Sequence, residues 1–269
     1  MQAVLWGREH AQLGEVAIQA VSDDVACGLT RGQRRKAYPY VEPNEDTVAA
    51  LVGSQATLLA VADGHNGFEA AEAAMRTVLD RLGGELPPAD LADGDLVDLF
   101  FEASEAICAE TAVLAPPRAG SRTTLALALI SPGWISRGDA RRLQWASIGD
   151  SAVFVVTALA GWELSDPRQE FVGRPISRAE LAARLQRGSL AVPADAWVVV
   201  VSDGFTNFVG PEVADRVLFG LIGHASRDGG TVASVVVRAI IDCANANGAG
   251  DNVAVAVAAP PRDLTGLTG

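Results

Sequence analysis

Leu59-Ala60-Val61-Ala62-Asp63-Gly64-His65-Asn66-Gly67 is an apolar run that ends in an acid, a glycine, a histidine and a second glycine. A buried strand followed by a sharp turn accounts for that order, and it carries a carboxylate to the C-terminal end of the strand. One Asp-Gly pair is an ordinary turn, since both residues are favoured there. The device recurs, however. Val198-Val199-Val200-Val201-Ser202-Asp203-Gly204 is a second apolar run closing on Asp-Gly, and Ile148-Gly149-Asp150-Ser151 is a third strand-like end with an acid. Gly250-Asp251-Asn252-Val253 sets a fourth acid just ahead of an apolar run, and Asn44-Glu45-Asp46 leads into another. Carboxylates gathered in one place repel strongly unless cations neutralise them. No Cys/His set accompanies these acids, which disfavours zinc. All-oxygen ligation suits magnesium or manganese.

The bulk composition narrows the class. The 269 residues are 49% hydrophobic and 20% charged, enough for a sizeable core and against global disorder. A formal net charge of −12 argues against nucleic-acid binding, which needs a basic surface. Cys27, Cys108 and Cys243 are widely spaced without a CxxC pair, as expected of reduced thiols rather than disulfides or a zinc site. The N-terminus shows no basic segment followed by an apolar one, so no signal peptide is expected. No apolar run approaches the ~20 residues that span a bilayer. The expectation is a cytoplasmic protein with no membrane and no nucleic-acid partner.

Periodicity outlines the elements. Strands are predicted over Thr47–Val52 and Thr57–Ala62, then helices from about Phe68 to Leu82 and from Asp95 to Val113. Thr123–Ile130, Arg142–Ile148 and Val153–Ala158 read as a β-meander. Glu163 to Ala196 is more polar and irregular, with one short helical pattern at Arg178–Gln186. A strand at Trp197–Ser202, helices at Pro211–Gly223 and Thr231–Asn247, and a strand at Asn252–Ala258 follow. This order fits a layered α+β domain with two sheets and helices outside. Residues 1–260 are expected to form a single domain, with 261–269 a frayed C-terminal tail.

In this order of motifs the chain resembles the metal-dependent protein phosphatases of the protein phosphatase 2C type. Asn44-Glu45-Asp46, Asp63-Gly64-His65-Asn66-Gly67, Gly120-Ser121-Arg122-Thr123-Thr124, Gly149-Asp150-Ser151, Ser202-Asp203-Gly204 and Asp251-Asn252 stand in the family's sequence. The resemblance implies a four-layer α-β-β-α sandwich, a central pair of antiparallel sheets flanked by helix pairs. It also implies two Mn²⁺ or Mg²⁺ ions and hydrolysis of phosphoserine or phosphothreonine by a metal-bridged water, without a phosphoenzyme. By the same resemblance Asp63 bridges both ions and the Gly64 carbonyl contributes. Asp203 and Asp251 complete the first metal site. Glu45 and Asp46 serve the second, directly or through water, and Asp150 helps to hold a third, weaker ion beside Asp203. His65 is the implied general acid, a role suited to a side chain that titrates near neutral pH. The implied partners are a phosphorylated protein substrate and a cognate Ser/Thr kinase.

The chain departs from the family's pattern in two places. Family members usually carry an arginine a few residues before the acidic motif, to grip phosphate. Here Tyr38-Pro39-Tyr40-Val41-Glu42-Pro43 fills that stretch, and Arg34, Arg35 or Lys36 is the expected substitute, against a plain surface loop. The variable flap is expected at about 165–193. Arg122 stands where a small residue is more usual. Two alternatives to a Ser/Thr protein phosphatase remain at this point: a phosphatase-like regulatory or binding module without turnover, and a phosphatase of small phosphoesters.

Overall fold

A computed structural model describes residues 1–35, 44–83, 87–132, 140–225 and 233–261. Two six-stranded antiparallel sheets lie at its centre. The first comprises, in spatial order, β1 (Gln2–Trp6), β4 (Thr47–Val52), β5 (Thr57–Ala62), β8 (Leu125–Pro132), β9 (Ala140–Ile148) and β12 (Gln186–Pro193). The second comprises β11 (Gly161–Glu163), β10 (Ala152–Val156), β13 (Trp197–Val201), β14 (Val253–Ala258), β3 (Val25–Thr30) and β2 (Val16–Ala20). A two-stranded ribbon, β6 (Gly64–His65) with β7 (Arg122–Thr123), stands apart from both.

The four layers follow from side-chain alternation. Along β5, Leu59 and Val61 face the second sheet, while Leu58, Ala60 and Ala62 pack under the helices α1 (Glu69–Leu82) and α2 (Asp93–Thr111). Along β13, Val198 and Val200 face the first sheet, while Val199 and Val201 pack under α5 (Ala214–Ala225) and α6 (Ala233–Ala246). Both faces of the central strands are therefore buried. Their sequences read as unbroken apolar runs for that reason, although the sheets are antiparallel. The fold is the α-β-β-α sandwich, with three stacked cores: helix on sheet, sheet on sheet, and sheet on helix.

The elements that periodicity misses are the ones that carry little apolar signal. The segment expected to be irregular ends in β12, which pairs along its whole length with β9. Its sequence Gln-Arg-Gly-Ser-Leu-Ala-Val-Pro is polar and broken by Gly and Pro, as an edge strand tolerates. The short helix α3 (Arg178–Arg184) falls on the helical pattern expected at Arg178–Gln186, whereas α4 (Asp203–Val209), which follows directly from the Ser202-Asp203-Gly204 turn, was not expected. Strands β1 and β3 also lie outside the predicted runs. Among the described residues no helix is long and apolar enough to cross a membrane.

Leu59 is wholly buried between the sheets, whereas Leu159 is 91% exposed. Leu59→Ala should lower the unfolding free energy by about 2–5 kcal/mol, and Leu159→Ala should change it by less than ~0.5 kcal/mol. Guanidinium denaturation of the two variants checks the assignment of the central layer.

Candidate metal centre

Antiparallel pairing brings the five acidic motifs to one edge of the sandwich. Thr47 at the start of β4 pairs with Ala62 at the end of β5, and Leu125 at the start of β8 pairs with Ile148 at the end of β9. In the other sheet Val201 at the end of β13 pairs with Val255 near the start of β14. Asn44-Glu45-Asp46, Asp63, Asp150, Asp203 and Asp251 flank these ends. Asp150 has a further distinction: Ile148 closes a strand of the first sheet and Ala152 opens one of the second, so Gly149-Asp150-Ser151 is the crossing between them. Gly149 turns the chain there with φ 115°, and a Cβ at this position would lie 2.5 Å from Thr124 Cγ2.

Asp63, Asp150 and Asp203 form the nucleus of the site. Each offers a carboxylate oxygen, and these oxygens lie within 4.8 Å of one another. Asp63 is buried and the other two are partly exposed. Burial pushes the Asp150 carboxyl up to about 6, and the neighbouring charges of Asp203 and Asp251 push in the same direction. One Asp150 oxygen is buried without a hydrogen-bond partner among the described residues. Hard oxygen donors, mutual repulsion and an orphaned buried oxygen fit a divalent cation of the magnesium or manganese kind.

The acids outside this nucleus are anchored in the wall around it. Glu45 accepts a short hydrogen bond from the Gly67 amide, and its own amide donates to Asn252 Oδ1 at 2.9 Å. The Ser202 hydroxyl donates to Asp46 Oδ2 at 2.8 Å and accepts from the Ala254 amide at 2.9 Å. Asp251 bonds the following amide of Asn252 at 2.7 Å. Gly64 and Gly204 have no room for a side chain: a Cβ at Gly64 would lie 2.5 Å from the Glu45 carbonyl oxygen, and one at Gly204 would collide with the Asn252 carbonyl.

Three residues that sequence reasoning gave no role prove to be positioning groups. Thr123 donates to the Asp63 carbonyl at 2.8 Å. The Thr124 hydroxyl accepts from the Asp63 amide at 3.2 Å and meets the Ser151 hydroxyl at 2.7 Å. Asn252 joins Glu45 to the Arg31 carbonyl. The Thr-Thr and Asp-Asn pairs were visible as motifs, but their partners lie 61 and 207 residues away in the chain.

His65 sits beside the nucleus, with Nδ1 3.7 Å from Asp63 Oδ1 and about one third of its side chain exposed. Its ring rests on Phe171, with centroids 4.7 Å apart. Of the basic residues expected to grip phosphate, Arg34 and Arg35 are exposed, and the Arg34 guanidinium lies over the Gly248 backbone. Lys36 and the Tyr38–Pro43 stretch lie outside the described residues, as does 262–269 of the C-terminal tail. A pocket of about 200 Å³ opens beside the nucleus, lined in part by Asp150, Asp203, Glu163 and Arg168. Burial pushes the Glu163 carboxyl up to about 7, and the nearby charges of Asp166 and Asp215 add to the effect, against a stabilising bond from Ser165.

A family model described as protein phosphatase 2C matches residues 38–246. The chain belongs to the protein phosphatase 2C family. The solved structures it resembles share this fold at low sequence identity. The serine/threonine phosphatase PstP/Ppp of Mycobacterium tuberculosis is 20% identical with a TM-score of 0.65, covering 92% of this chain and 99% of its own. Serine/threonine phosphatase Stp1 of Staphylococcus aureus is 14% identical with a TM-score of 0.64, covering 94% and 97%. The S. agalactiae serine/threonine phosphatase is 18% identical with a TM-score of 0.63, covering 92% and 100%. A search of curated proteins gives no significant sequence match. The family's sandwich thus extends along nearly the whole chain, and its motif order is reproduced here on strand ends that meet.

The raised carboxyls set a pH dependence. Folding lifts Asp150 to about 6 and Glu163 to about 7, so the folded metal-free protein keeps protons that the unfolded chain loses near pH ~4. Stability in EDTA should therefore fall as pH rises from ~4 through these values and stay low above them. Asp150→Asn should flatten the lower part of that decline, as read by urea denaturation at intervals between pH 5 and 8.

Proposed function

We propose that this chain is a metal-dependent phosphoserine/phosphothreonine protein phosphatase, with a phosphorylated protein as substrate. The observation that carries the reading is the meeting of the Asp63, Asp150 and Asp203 carboxylates within 4.8 Å, beside His65, at the edge where both sheets end. Family membership and the phosphatase names of the structural neighbours support it. Two Mn²⁺ or Mg²⁺ ions held there would lower the pKa of a shared water and neutralise phosphoryl oxygens.

In this reading Asp63 and the Gly64 carbonyl would help to hold both ions. Asp203 and Asp251 would complete one set of donors, and Glu45 and Asp46 would serve the other. Asp150 with Asp203 would hold a third, weaker ion. The remaining chemistry belongs to His65. Asp63 faces its Nδ1 and steadies the charge the ring carries when protonated. A proton on the ring then passes to the departing serine or threonine oxygen, a poor leaving group as an alkoxide. Thr123, Thr124, Ser202 and Asn252 keep the donors close together when their charges would drive them apart. Residues from both sheets are needed, which supports treating 1–260 as one catalytic domain.

Hydrolysis of a phosphothreonine peptide and of p-nitrophenyl phosphate should require Mn²⁺ or Mg²⁺ and vanish in EDTA. Asp203→Ala should lower kcat/KM by about 10²-fold or more. Equal rates with metal, with EDTA and in the variant would refute the reading. His65→Gln should slow the phosphopeptide reaction by about 10²-fold and the p-nitrophenyl ester far less, because nitrophenolate departs without a proton. An equal loss on both substrates would remove His65 from that role.

A further inference from the structure

The metal centre is rich in anions, yet its substrate is an anion. A cation of the chain facing the phosphoryl group would add orientation and charge to what the metals supply. Most arginines in this neighbourhood are already engaged: Arg8 with Glu72, Arg76 with Glu72 and Glu110, Arg118 with Glu69, and Arg168 with Asp166. Arg122 is different. Among the described residues no carboxylate lies within ion-pairing distance of it, and its Nε is buried with no hydrogen-bond partner.

Its placement is specific. In the β6–β7 ribbon Arg122 stands directly opposite His65, and Thr123 opposite Gly64. Side chains of directly opposed residues in an antiparallel pair project from the same face, with Cβ atoms about 5 Å apart. Arg122 and His65 therefore leave the ribbon side by side. Phe171 lies against both: the Arg122 guanidinium carbon is 4.3 Å from the ring centroid, and the His65 ring centroid is 4.7 Å from it. Stacking on an aromatic face fixes the plane of a guanidinium and leaves its N–H edge available for hydrogen bonds. That edge is the part that fits two oxygens of a phosphate in fork geometry.

We propose that Arg122 is the phosphate-binding residue of this phosphatase: its guanidinium, stacked on Phe171 beside His65, donates to non-bridging oxygens of the substrate's phosphoryl group. The proposal rests on the hydrolase reading above and assigns the phosphate grip to the strand opposite His65, in place of the basic cluster at Arg34 and Arg35. It also gives a use to the one residue of the Gly-Ser-Arg-Thr-Thr segment that is large and charged. Arg174 approaches the same ring at 6.0 Å and adds positive charge to this side of the site.

The test is the binding of inorganic phosphate to the Mn²⁺-loaded full chain, measured by calorimetry, together with hydrolysis of p-nitrophenyl phosphate and a phosphothreonine peptide. Arg122→Met keeps the stem over Phe171 and should weaken phosphate binding about tenfold or more, with a similar rise in KM for both substrates. Arg122→Lys should recover part of the loss. Arg122→Gln serves as a second neutral variant should the methionine form prove poorly folded. Phosphate affinity within twofold of wild type in the neutral variants overturns the proposal. So does a defect confined to the peptide, which would make Arg122 a reader of the protein substrate. Wild-type protein that binds phosphate through Arg122 but hydrolyses neither ester would refute the hydrolase reading and leave this inference standing. Wild-type protein that binds no phosphate would refute the inference itself.

Discussion

The hydrogen bond from the Ser202 hydroxyl to Asp46 is the contact on which the candidate site depends. It joins the lead-in to the central strand β4 of one sheet to the end of β13 in the other, and the same hydroxyl accepts the Ala254 amide of β14. Around it, Asn252 ties Glu45 to the second sheet, and Thr124 ties Asp63 to the crossing at Ser151. These neutral hydroxyls and amides fix the positions of the acids, Ser202 through the Asp46 carboxylate, Asn252 and Thr124 through the backbone amides of Glu45 and Asp63. The Ser202–Asp46 bond has a carboxylate acceptor, and such charge-assisted bonds are stronger than neutral ones and lose little to solvent when buried. The site is thus held from behind by the backbone ends of two sheets.

That arrangement explains why the acids come from so many places in the chain. In an antiparallel sheet, the end of one strand and the start of its neighbour share an edge. Acids that precede β4 and β14 therefore meet acids that follow β5, β9 and β13. In the metal-free protein burial at that edge raises the Asp150 carboxyl, and the charges of Asp203 and Asp251 add to this penalty on its ionised form. Cations relieve it, so metal binding and stability are linked.

Much of the architecture was legible in the residues. The apolar runs at Thr47–Val52, Thr57–Ala62 and Trp197–Val201 are strands with both faces covered, and runs of that kind are conspicuous. Strand β12 was not legible, because an edge strand with Arg, Gly, Ser and Pro looks like a loop until β9 pairs with it. Helix α4 was hidden by the Asp-Gly signal of its first two residues, which reads as a turn. The acids of the site were legible as strand ends. The groups that hold them, Ser202, Thr124 and Asn252, were visible only as neighbours within motifs, since a hydroxyl or amide declares nothing about a distant partner.

The sequence by itself determined the layered α+β class and the set of acids, because strand periodicity and charge at strand ends are local properties. Only the tertiary structure decided which acids share a nucleus, since Asp63, Asp150 and Asp203 are brought within 4.8 Å by strand pairing and by the crossing between sheets. It also decided the place of Arg122. In the sequence it is an oversized residue in a threonine-rich segment. In the fold, cross-strand register sets it beside His65, because opposed residues of an antiparallel pair share a face however far apart they lie along the chain.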